Sequence, residues 1–277
     1  MVRIGVTGAN GFIGKSLVSV LETKGYSVTK FTSNFENSYT TYLNWDDHNQ
    51  IESSFASLDV LIHLSWIGSL RALRDDRSVQ QINVKRAETL AAILKNTDIS
   101  RVIAIGSQDE LKDGSQPWSD DSLFSPISEY GKAKFESFNL FNNHNVDFTW
   151  ARLFSVYGKN DKRDWILMNA CSAIQNSSRM IFGRCAKPWS LTHVSDVSRA
   201  ICLIIEQNIF GTVNLSSLEA PTLKNHLQLL EQLSGKQLFT FLDDSKLERE
   251  VSRSTGILES IGWFPLVSRE EGFLELL

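Results

Sequence analysis

The segment SEYGKAK, residues 128–134, sets Tyr130 and Lys134 four positions apart. On an α-helix that spacing puts a phenol and an ammonium on one face, one turn from each other. On an exposed surface such a pair contributes little. Held in a cleft, the phenol becomes a candidate proton donor. Its ordinary pKa of about 10 makes it a poor base at neutral pH; a neighbouring ammonium favours the phenolate, and a tenfold change in that ionisation equilibrium corresponds to about 1.4 kcal/mol. Ser107 closes the apolar run RVIAIGS, and its hydroxyl is suited to orienting a substrate carbonyl. Ser107, Tyr130 and Lys134 together suit hydride transfer, with a proton exchanged between Tyr130 and the substrate oxygen.

These side chains need a scaffold, and the chain patterns as one. Short β-branched or apolar runs (VRIGVTG, YSVTKFT, DVLIHLS, RVIAIGS, VDFTWARL) alternate with longer amphipathic ones. GFIGKSLVSVLETKG sets Ile13, Leu17, Val20 and Leu21 on one helical face and stops at Gly25. DHNQIESSFASL, SVQQINVKRAETLAAILKN and ISEYGKAKFESFNLFNNH read as further helices. Strict alternation of this kind predicts an α/β fold with a parallel sheet covered on both faces. Beyond residue 155 the rhythm loosens, with helices expected over 165–176, 195–207 and 222–234. The expected division is a sheet domain over 1–155, with 189–215 contributing to it. A smaller C-terminal lobe is expected over 156–188 and 216–277, at the carboxyl edge of the strands where open α/β sheets bind ligands.

TGANGFIG places Gly8, Gly11 and Gly14 between the first strand and the first helix, as G-x-x-G-x-x-G. Glycines allow a tight turn and close backbone approach to a pyrophosphate, and a helix N-terminus adds unpaired N–H groups and a positive dipole end. The context, strand before and helix after, marks a dinucleotide-binding Rossmann fold, doubly wound. An NAD-preferring fold carries an acid about 20 residues further on, at the end of the second strand. Here that strand ends KFTSNFEN, with Thr32, Ser33 and Asn34 at the position, and Glu36 comes late. Hydroxyl and amide groups tolerate a 2′-phosphate that a carboxylate repels. No arginine follows directly, and alternation can turn Lys30 away. NADP(H) is favoured, with NAD(H) possible.

The 277 residues carry a net charge of −4, with 42% hydrophobic and 22% charged residues. That balance argues against nucleic acid or an anionic membrane as the main partner. No apolar run approaches the ~20 residues of a membrane span, and Met1 leads directly into VRIGVTGANG without a leader-like pattern. Cys171, Cys185 and Cys202 are odd in number and lack CxxC spacing, so buried reduced thiols and a cytoplasmic location are expected. No H-x-x-x-H or acid cluster suggests a metal. His63 and His193 read as hydrogen-bonded scaffold groups.

Taken in order, these motifs resemble the extended short-chain dehydrogenase/reductase family, in its nucleotide-sugar epimerase, dehydratase and reductase branch. The resemblance covers nearly the whole chain. TGANGFIG resembles the family's cofactor loop, DVLIHLS the strand ending near the nicotinamide ribose, and INVKRAETL the helix with a characteristic asparagine, here Asn83. GSQDE and YGKAK are similar to its active-site Ser and Tyr-x-x-x-Lys; ARLFSVYG, LTHVSDVSRAI and GTVNLSS resemble later landmarks. The resemblance implies that Ser107 orients the carbonyl, Tyr130 gives the proton and Lys134 also binds the nicotinamide ribose. It implies cofactor contacts from Gly8, Asn10, Gly11, Phe12, Ile13, Gly14, Thr32, Ser33, Asn44, Trp45, Leu64, Ser65 and Asn83, besides Tyr130 and Lys134. Substrate contacts would come from Trp66, Ser107, Gln108, Asp109, Ser155, Arg184, Lys187 and Trp189. It also implies a homodimer paired through the helices near 79–96 and 127–145. Asn83 can also be read as a helix-interior amide bonded to backbone, and Tyr130 and Lys134, taken without the other motifs, as a surface pair.

The chain departs from the family at informative places. Where an arginine often meets the substrate pyrophosphate, WSLTHV has Trp189, and where LFNVYG has asparagine the chain has Ser155. Arg163, Arg184 and Lys187 lie in the right region but are as readily solvated charges. After Ser107 come Gln108 and Asp109, an incomplete acid pair for a dehydratase; no cysteine follows Ser107 as in an epimerising reductase. The expected function is NADP(H)-dependent reduction of the 4-keto group of a nucleotide-linked 4-keto-6-deoxyhexose. The alternatives are a 4-epimerase or 4,6-dehydratase with tightly bound NAD, and a non-catalytic dinucleotide sensor.

Overall fold

The computed structural model describes residues 2–33, 39–69, 71–111, 117–143, 146–243, 251 and 256–277. Asn34 and Glu36, weighed above for the ribose, lie outside them. The elements run β1 (Arg3–Thr7), α1 (Phe12–Thr23), β2 (Ser27–Thr32), β3 (Thr41–Tyr42), α2 (His48–Phe55), β4 (Val60–His63), α3 (Arg71–Arg74), α4 (Arg77–Leu94), β5 (Arg101–Ser107), α5 (Glu129–Asn142), β6 (Asp147–Leu153), β7 (Ser155–Tyr157), α6 (Ile166–Gln175), β8 (Met180–Phe182), β9 (Leu191–His193), α7 (Val194–Glu206), β10 (Gly211–Leu215), α8 (Leu223–Ser234), β11 (Phe239–Phe241), α9 (Ile257–Ser260) and α10 (Arg269–Leu274).

Seven strands form one sheet in the order β10-β6-β5-β4-β1-β2-β3. β1 pairs parallel with β2 and β4, β2 with β3, β4 with β5, and β5 with β6. Strand order reverses beside β1, so the crevice of this doubly wound sheet opens at the carboxyl ends of β1 and β4. β4 and β5 are buried at every residue, as a sheet covered on both faces requires. Their side chains join Phe31, Phe55, Leu90, Phe141 and Trp150 in one apolar core.

Local signals set the helices. Asp76 caps α4 by accepting from the N–H groups of Ser78 and Val79. Ser128 caps α5 by accepting from Gly131, and Glu129 follows in its first turn; this is how SEYG starts the helix carrying Tyr130 and Lys134. Buried Arg101 at the start of β5 donates to the carbonyls of Ile204, Ile205 and Ile209, closing the end of α7.

The turn after β5 is built on one carboxylate. Gln108–Glu110 forms a single 3₁₀ turn whose last residue, Glu110, is fully buried. Its Oε1 accepts from the Ser107 N–H and its Oε2 from Trp150 Nε1 at 2.7 Å. Arg152 Nε, also fully buried, lies 3.6 Å from Oε2. Burial raises the Glu110 carboxyl above its ordinary range, against the pull of Arg152, Trp150 and Lys134. At the crevice, Thr7 and His63 Nδ1 are hydrogen bonded at 2.8 Å. Burial, with the charges of Lys134 and Arg86 adding, pushes His63 down to about 3, so the ring is neutral.

The chain divides into two compact units: Met1–Lys112, Leu123–Leu153 and Ser198–Val213 form the first, and Asp113–Ser122, Phe154–Val197 and Asn214–Leu277 the second. The boundaries read in the sequence differ from these at 113–122, 154–155, 189–197 and 214–215. Residues 189–197 belong to the second unit, because β9 pairs parallel with β7, Ser155 opposite Leu191. The Trp118 segment does so as well, its indole meeting Phe154 edge-on at 5.9 Å. In the second unit β8 pairs with β11, and Tyr157, Leu167, Leu227, Leu230 and Phe273 form its core. Two carboxylates tie loops within it: Asp120 accepts from Asn214 and Ile257, and Asp196 from Leu266 and Val267. The three cysteines are buried, and burial pushes the Cys171 and Cys202 thiols up to about 12. Among the described residues no helix is long and apolar enough to cross a membrane.

Removing the Glu110 carboxylate leaves Arg152 buried without its counter-charge. Glu110→Ala is expected to cost about 3–5 kcal/mol of folding stability, read from the urea midpoint; a wild-type midpoint refutes the role given to this group. His63 sets an acid limit. Between pH 6.5 and about 3 the unfolded chain takes up a proton that the native ring refuses, so stability falls as pH drops through that window. A His63→Gln variant, whatever its stability at pH 7, should lose less melting temperature between pH 7 and 4.5 than the parent; equal losses would remove His63 from the acid response.

Candidate active site

A cleft of about 580 Å³ opens at the crevice. Thr7, Gly8, Asn10 and Gly11 line it from the β1–α1 loop, Phe31, Thr32 and Ser33 from the end of β2, and Leu43 and Trp45 from the segment after β3. Leu64, Ser65, Trp66 and Ile67 contribute from the segment after β4, and Arg86 from α4. The glycine loop is shaped for close approach. Gly8 has φ +71°, and a Cβ there would lie 2.8 Å from the Ser65 nitrogen. A Cβ on Gly14 would run into the Gly8 carbonyl and the Ala9 backbone. No side chain caps α1 at Gly11, so the positive end of that helix is offered to the cleft. These features fit a dinucleotide, whose pyrophosphate the loop would hold.

Of the residues expected to bind cofactor, Gly8, Asn10, Gly11, Thr32, Ser33, Trp45, Leu64 and Ser65 line this cleft. Phe12 and Ile13 lie behind them in the first turn of α1. Asn44 is a turn residue whose Oδ1 accepts from the Asp46 N–H at 3.2 Å. Asn83 is buried, and its amide accepts from the Ile67 N–H and donates to the Ile67 carbonyl, both at 2.8 Å. It therefore braces the loop after β4. Lys30 is turned away into an ion pair with Glu22 at 2.8 Å.

Ser107, Tyr130 and Lys134 come together in the first unit. Tyr130 interacts with the Ser107 hydroxyl, which also accepts from the Asp109 N–H at 3.2 Å. Lys134 is buried and donates to the Ile105 carbonyl at 2.7 Å. Its Nζ lies 3.5 Å from the centre of the Trp66 ring and 5.7 Å from that of Tyr130. Trp66 meets the Tyr130 ring edge-on at 5.8 Å and donates to Gln80 Oε1 at 3.0 Å. Thus Trp66, expected at the substrate, also lines the dinucleotide cleft.

The expected electrostatics of the phenol need correction. Burial pushes Tyr130 up to about 12; Arg74 opposes this, while Asp109 and Glu110 add to it. The cation on the ring is Arg74, 4.2 Å from its centroid, and the same guanidinium pairs with Asp109. Lys134 is itself lowered by burial and by Arg74, with Glu110 opposing. A phenol in this setting stays protonated at neutral pH.

Arg74, Arg86 and Glu110 were not foreseen as site residues. Arg86 alone had a sequence signal, lying three positions after Asn83 on the same face of α4. Ser155, Arg184, Lys187 and Trp189 belong to the second unit. There Trp189 Nε1 donates to Ser155 Oγ at 3.0 Å, so the two residues that replace the family's usual pair bond to each other. Arg184 is exposed, with Asp243 at 3.6 Å, and Lys187 is exposed. Arg163 is fastened to Asp161 by its backbone N–H and by two guanidinium hydrogen bonds.

Comparison with known proteins accords with this geometry. The chain is 24% identical, over 98% of its length and 70% of the relative's, to UDP-glucuronic acid decarboxylase 1 of Danio rerio. Its fold is similar to that of the UDP-N-acetylglucosamine 4-epimerase from Bacillus cereus, with a TM-score of 0.87, 16% identity and coverage of 100% and 95% of the two chains. It is also similar to RMD from Pseudomonas aeruginosa, solved with NADPH, with a TM-score of 0.84, 19% identity and coverage of 100% and 98%. The family model described as the NAD dependent epimerase/dehydratase family matches residues 4–215. The chain belongs to the NAD dependent epimerase/dehydratase family, within the extended short-chain dehydrogenase/reductases.

Proposed function

We propose that the protein is an NADP(H)-dependent ketoreductase that reduces the 4-keto group of a nucleotide-linked 4-keto-6-deoxyhexose, for deoxysugar biosynthesis. The observation that carries this reading is the state of the groups around Tyr130. Its phenol is held protonated by burial, which suits an acid that gives a proton to a developing alkoxide. Asp109, at the second of the two positions after Ser107 where a dehydratase would carry its base, is engaged by Arg74. Dehydration needs that base; simple reduction does not.

A bound nicotinamide cofactor would supply the hydride. The chain supplies the rest. Ser107 fixes the carbonyl by a hydrogen bond, Tyr130 delivers the proton to its oxygen, and Lys134 is buried beside the pair, held by the Ile105 carbonyl. As the family resemblance implies, Lys134 would also bind the nicotinamide ribose. RMD is solved with NADPH, and other structural neighbours with NAD; the choice of NADP(H) rests on the missing acid at the end of β2.

The sugar-nucleotide relatives favour a second reading. UDP-N-acetylglucosamine 4-epimerase and UDP-glucuronic acid decarboxylase are among them, and an internal redox cycle would use the same Ser107, Tyr130 and Lys134. The two readings differ in cofactor turnover. GDP-, dTDP-, CDP- and UDP-linked 4-keto-6-deoxy sugars are supplied with NADPH and nicotinamide absorbance is followed. Stoichiometric NADPH oxidation with one of them, and one new C4 hydride in the product, is the expected result. No oxidation with any, alongside turnover of a UDP-hexose without added cofactor, moves the assignment to the second reading.

Tyr130→Phe keeps the ring under Arg74 and removes the acid. Turnover should fall about 10²–10⁴-fold with cofactor affinity nearly unchanged, whereas Lys134→Met should damage both. Full activity in Tyr130→Phe would show that the proton comes from elsewhere.

A further inference from the structure

We propose that Arg86, on α4, binds the 2′-phosphate of NADP(H) and sets the cofactor preference of this protein. The proposal deepens the reading above: it names the residue that makes the cleft an NADP(H) site.

The position comes first. Arg86 lines the dinucleotide cleft together with Thr32, Ser33 and Trp45. Its guanidinium lies over the Trp45 ring, 5.0 Å from the centroid. The same indole donates through Nε1 to Ser33 Oγ at 3.1 Å. Trp45 thus links Arg86 to the end of β2, where the dinucleotide ribose with its 2′-substituent is held in a fold of this kind. The pyrophosphate has its own partners in the glycine loop and the open N-terminus of α1.

The charge is the second observation. Arg86 is half-buried, and among the described residues it makes no hydrogen bond and no ion pair. Asp46 acts on it only as a more distant charge. His63, the titratable group facing it from β4, is neutral. Lys30, the other cation near the end of β2, is taken by Glu22. Arginine stays charged at any working pH. A half-buried guanidinium with an aromatic face beneath it and no acceptor among the described residues is a site for an anion that arrives with the ligand. A phosphate meets the guanidinium fork with two parallel charge-assisted bonds, which a ribose hydroxyl cannot match. Ser33 and Thr32 offer hydroxyls beside it rather than a repelling carboxylate.

Together these give the cleft a source of selectivity that is remote in sequence from the usual one. The cation comes from the helix after β4, one turn beyond Asn83, which braces the loop on the same cleft.

The experiment is a set of binding titrations on the full-length protein and two variants, Arg86→Met and Arg86→Lys. Methionine keeps an apolar stem against Trp45 and removes the charge; lysine keeps the charge and loses the fork. NADPH and NADH are followed by nicotinamide fluorescence, and 2′,5′-ADP and 5′-ADP by calorimetry. The parent should bind NADPH more tightly than NADH. Arg86→Met should weaken NADPH and 2′,5′-ADP by about 10- to 100-fold and leave NADH and 5′-ADP unchanged. Arg86→Lys should fall between. Equal weakening within both pairs, no weakening, or a parent that prefers NADH would each overturn the assignment. If Arg86→Met does not fold, an Arg86→Lys variant with undiminished preference for 2′,5′-ADP over 5′-ADP overturns the fork geometry. None of these readouts requires turnover, so they stand apart from the reductase assay.

Discussion

The first unit depends on a carboxylate that has no access to water. Glu110 sits under the end of β5, and each of its oxygens has a distinct partner: the backbone of Ser107, and the indole of Trp150 with Arg152 beyond it. Taking such a charge from water costs several kcal/mol, which the counter-charge and N–H donors must offset. The return is geometric. β5 would otherwise run off its last residue with a free choice of direction. With its N–H fixed there, Ser107 has its hydroxyl at the Asp109 N–H and the Tyr130 phenol. Lys134 feels the same carboxylate from the other side. Apolar packing alone would bury this region as well, but would not fix the direction of one hydroxyl.

Burial also decides between two opposing effects on Tyr130. A cation beside a phenol lowers its pKa, and loss of solvent raises it. Arg74 lies against the ring, yet the phenol stands at about 12. The guanidinium is shared with Asp109, so much of its field is cancelled by the carboxylate it holds. The result is a phenol that keeps its proton at neutral pH. A Tyr-x-x-x-Lys spacing read on its own suggests the reverse, because it counts the lysine and omits what covers the ring.

Spacing accounts for what was legible in the sequence. Gly8, Gly11 and Gly14 are close in the chain and act on one turn. Tyr130 and Lys134 are one helical turn apart. Strands β1, β4 and β5 announce themselves by continuous apolar residues. The missed features join distant residues: Arg74 to Asp109 across 35 positions, and Glu110 to Trp150 across 40. No period encodes such pairs. β7, β8, β9 and β11 have three residues each, too few for alternation to show. Glu110 reads as a surface acid after a strand; only the fold places it inside.

One face of α4 ties these observations together. Gln80, Asn83 and Arg86 recur every three residues, and each points its polar group toward the segment after β4 or the cleft beside it. Gln80 accepts from Trp66 and donates to the Gly68 and Leu73 carbonyls. Asn83 holds Ile67 by both backbone groups. A helix packed on an apolar core normally buries this face with leucine or valine. Polar residues there are tolerated because the Ile67 N–H and carbonyl and the Gly68 and Leu73 carbonyls, in the segment after β4, find their partners in these side chains. The loop so fixed carries Trp66, whose indole touches both Lys134 and Tyr130. Position in the dinucleotide cleft and position at the reacting oxygen are therefore set by the same helix face. A shift of α4 by even a fraction of a turn would disturb both together.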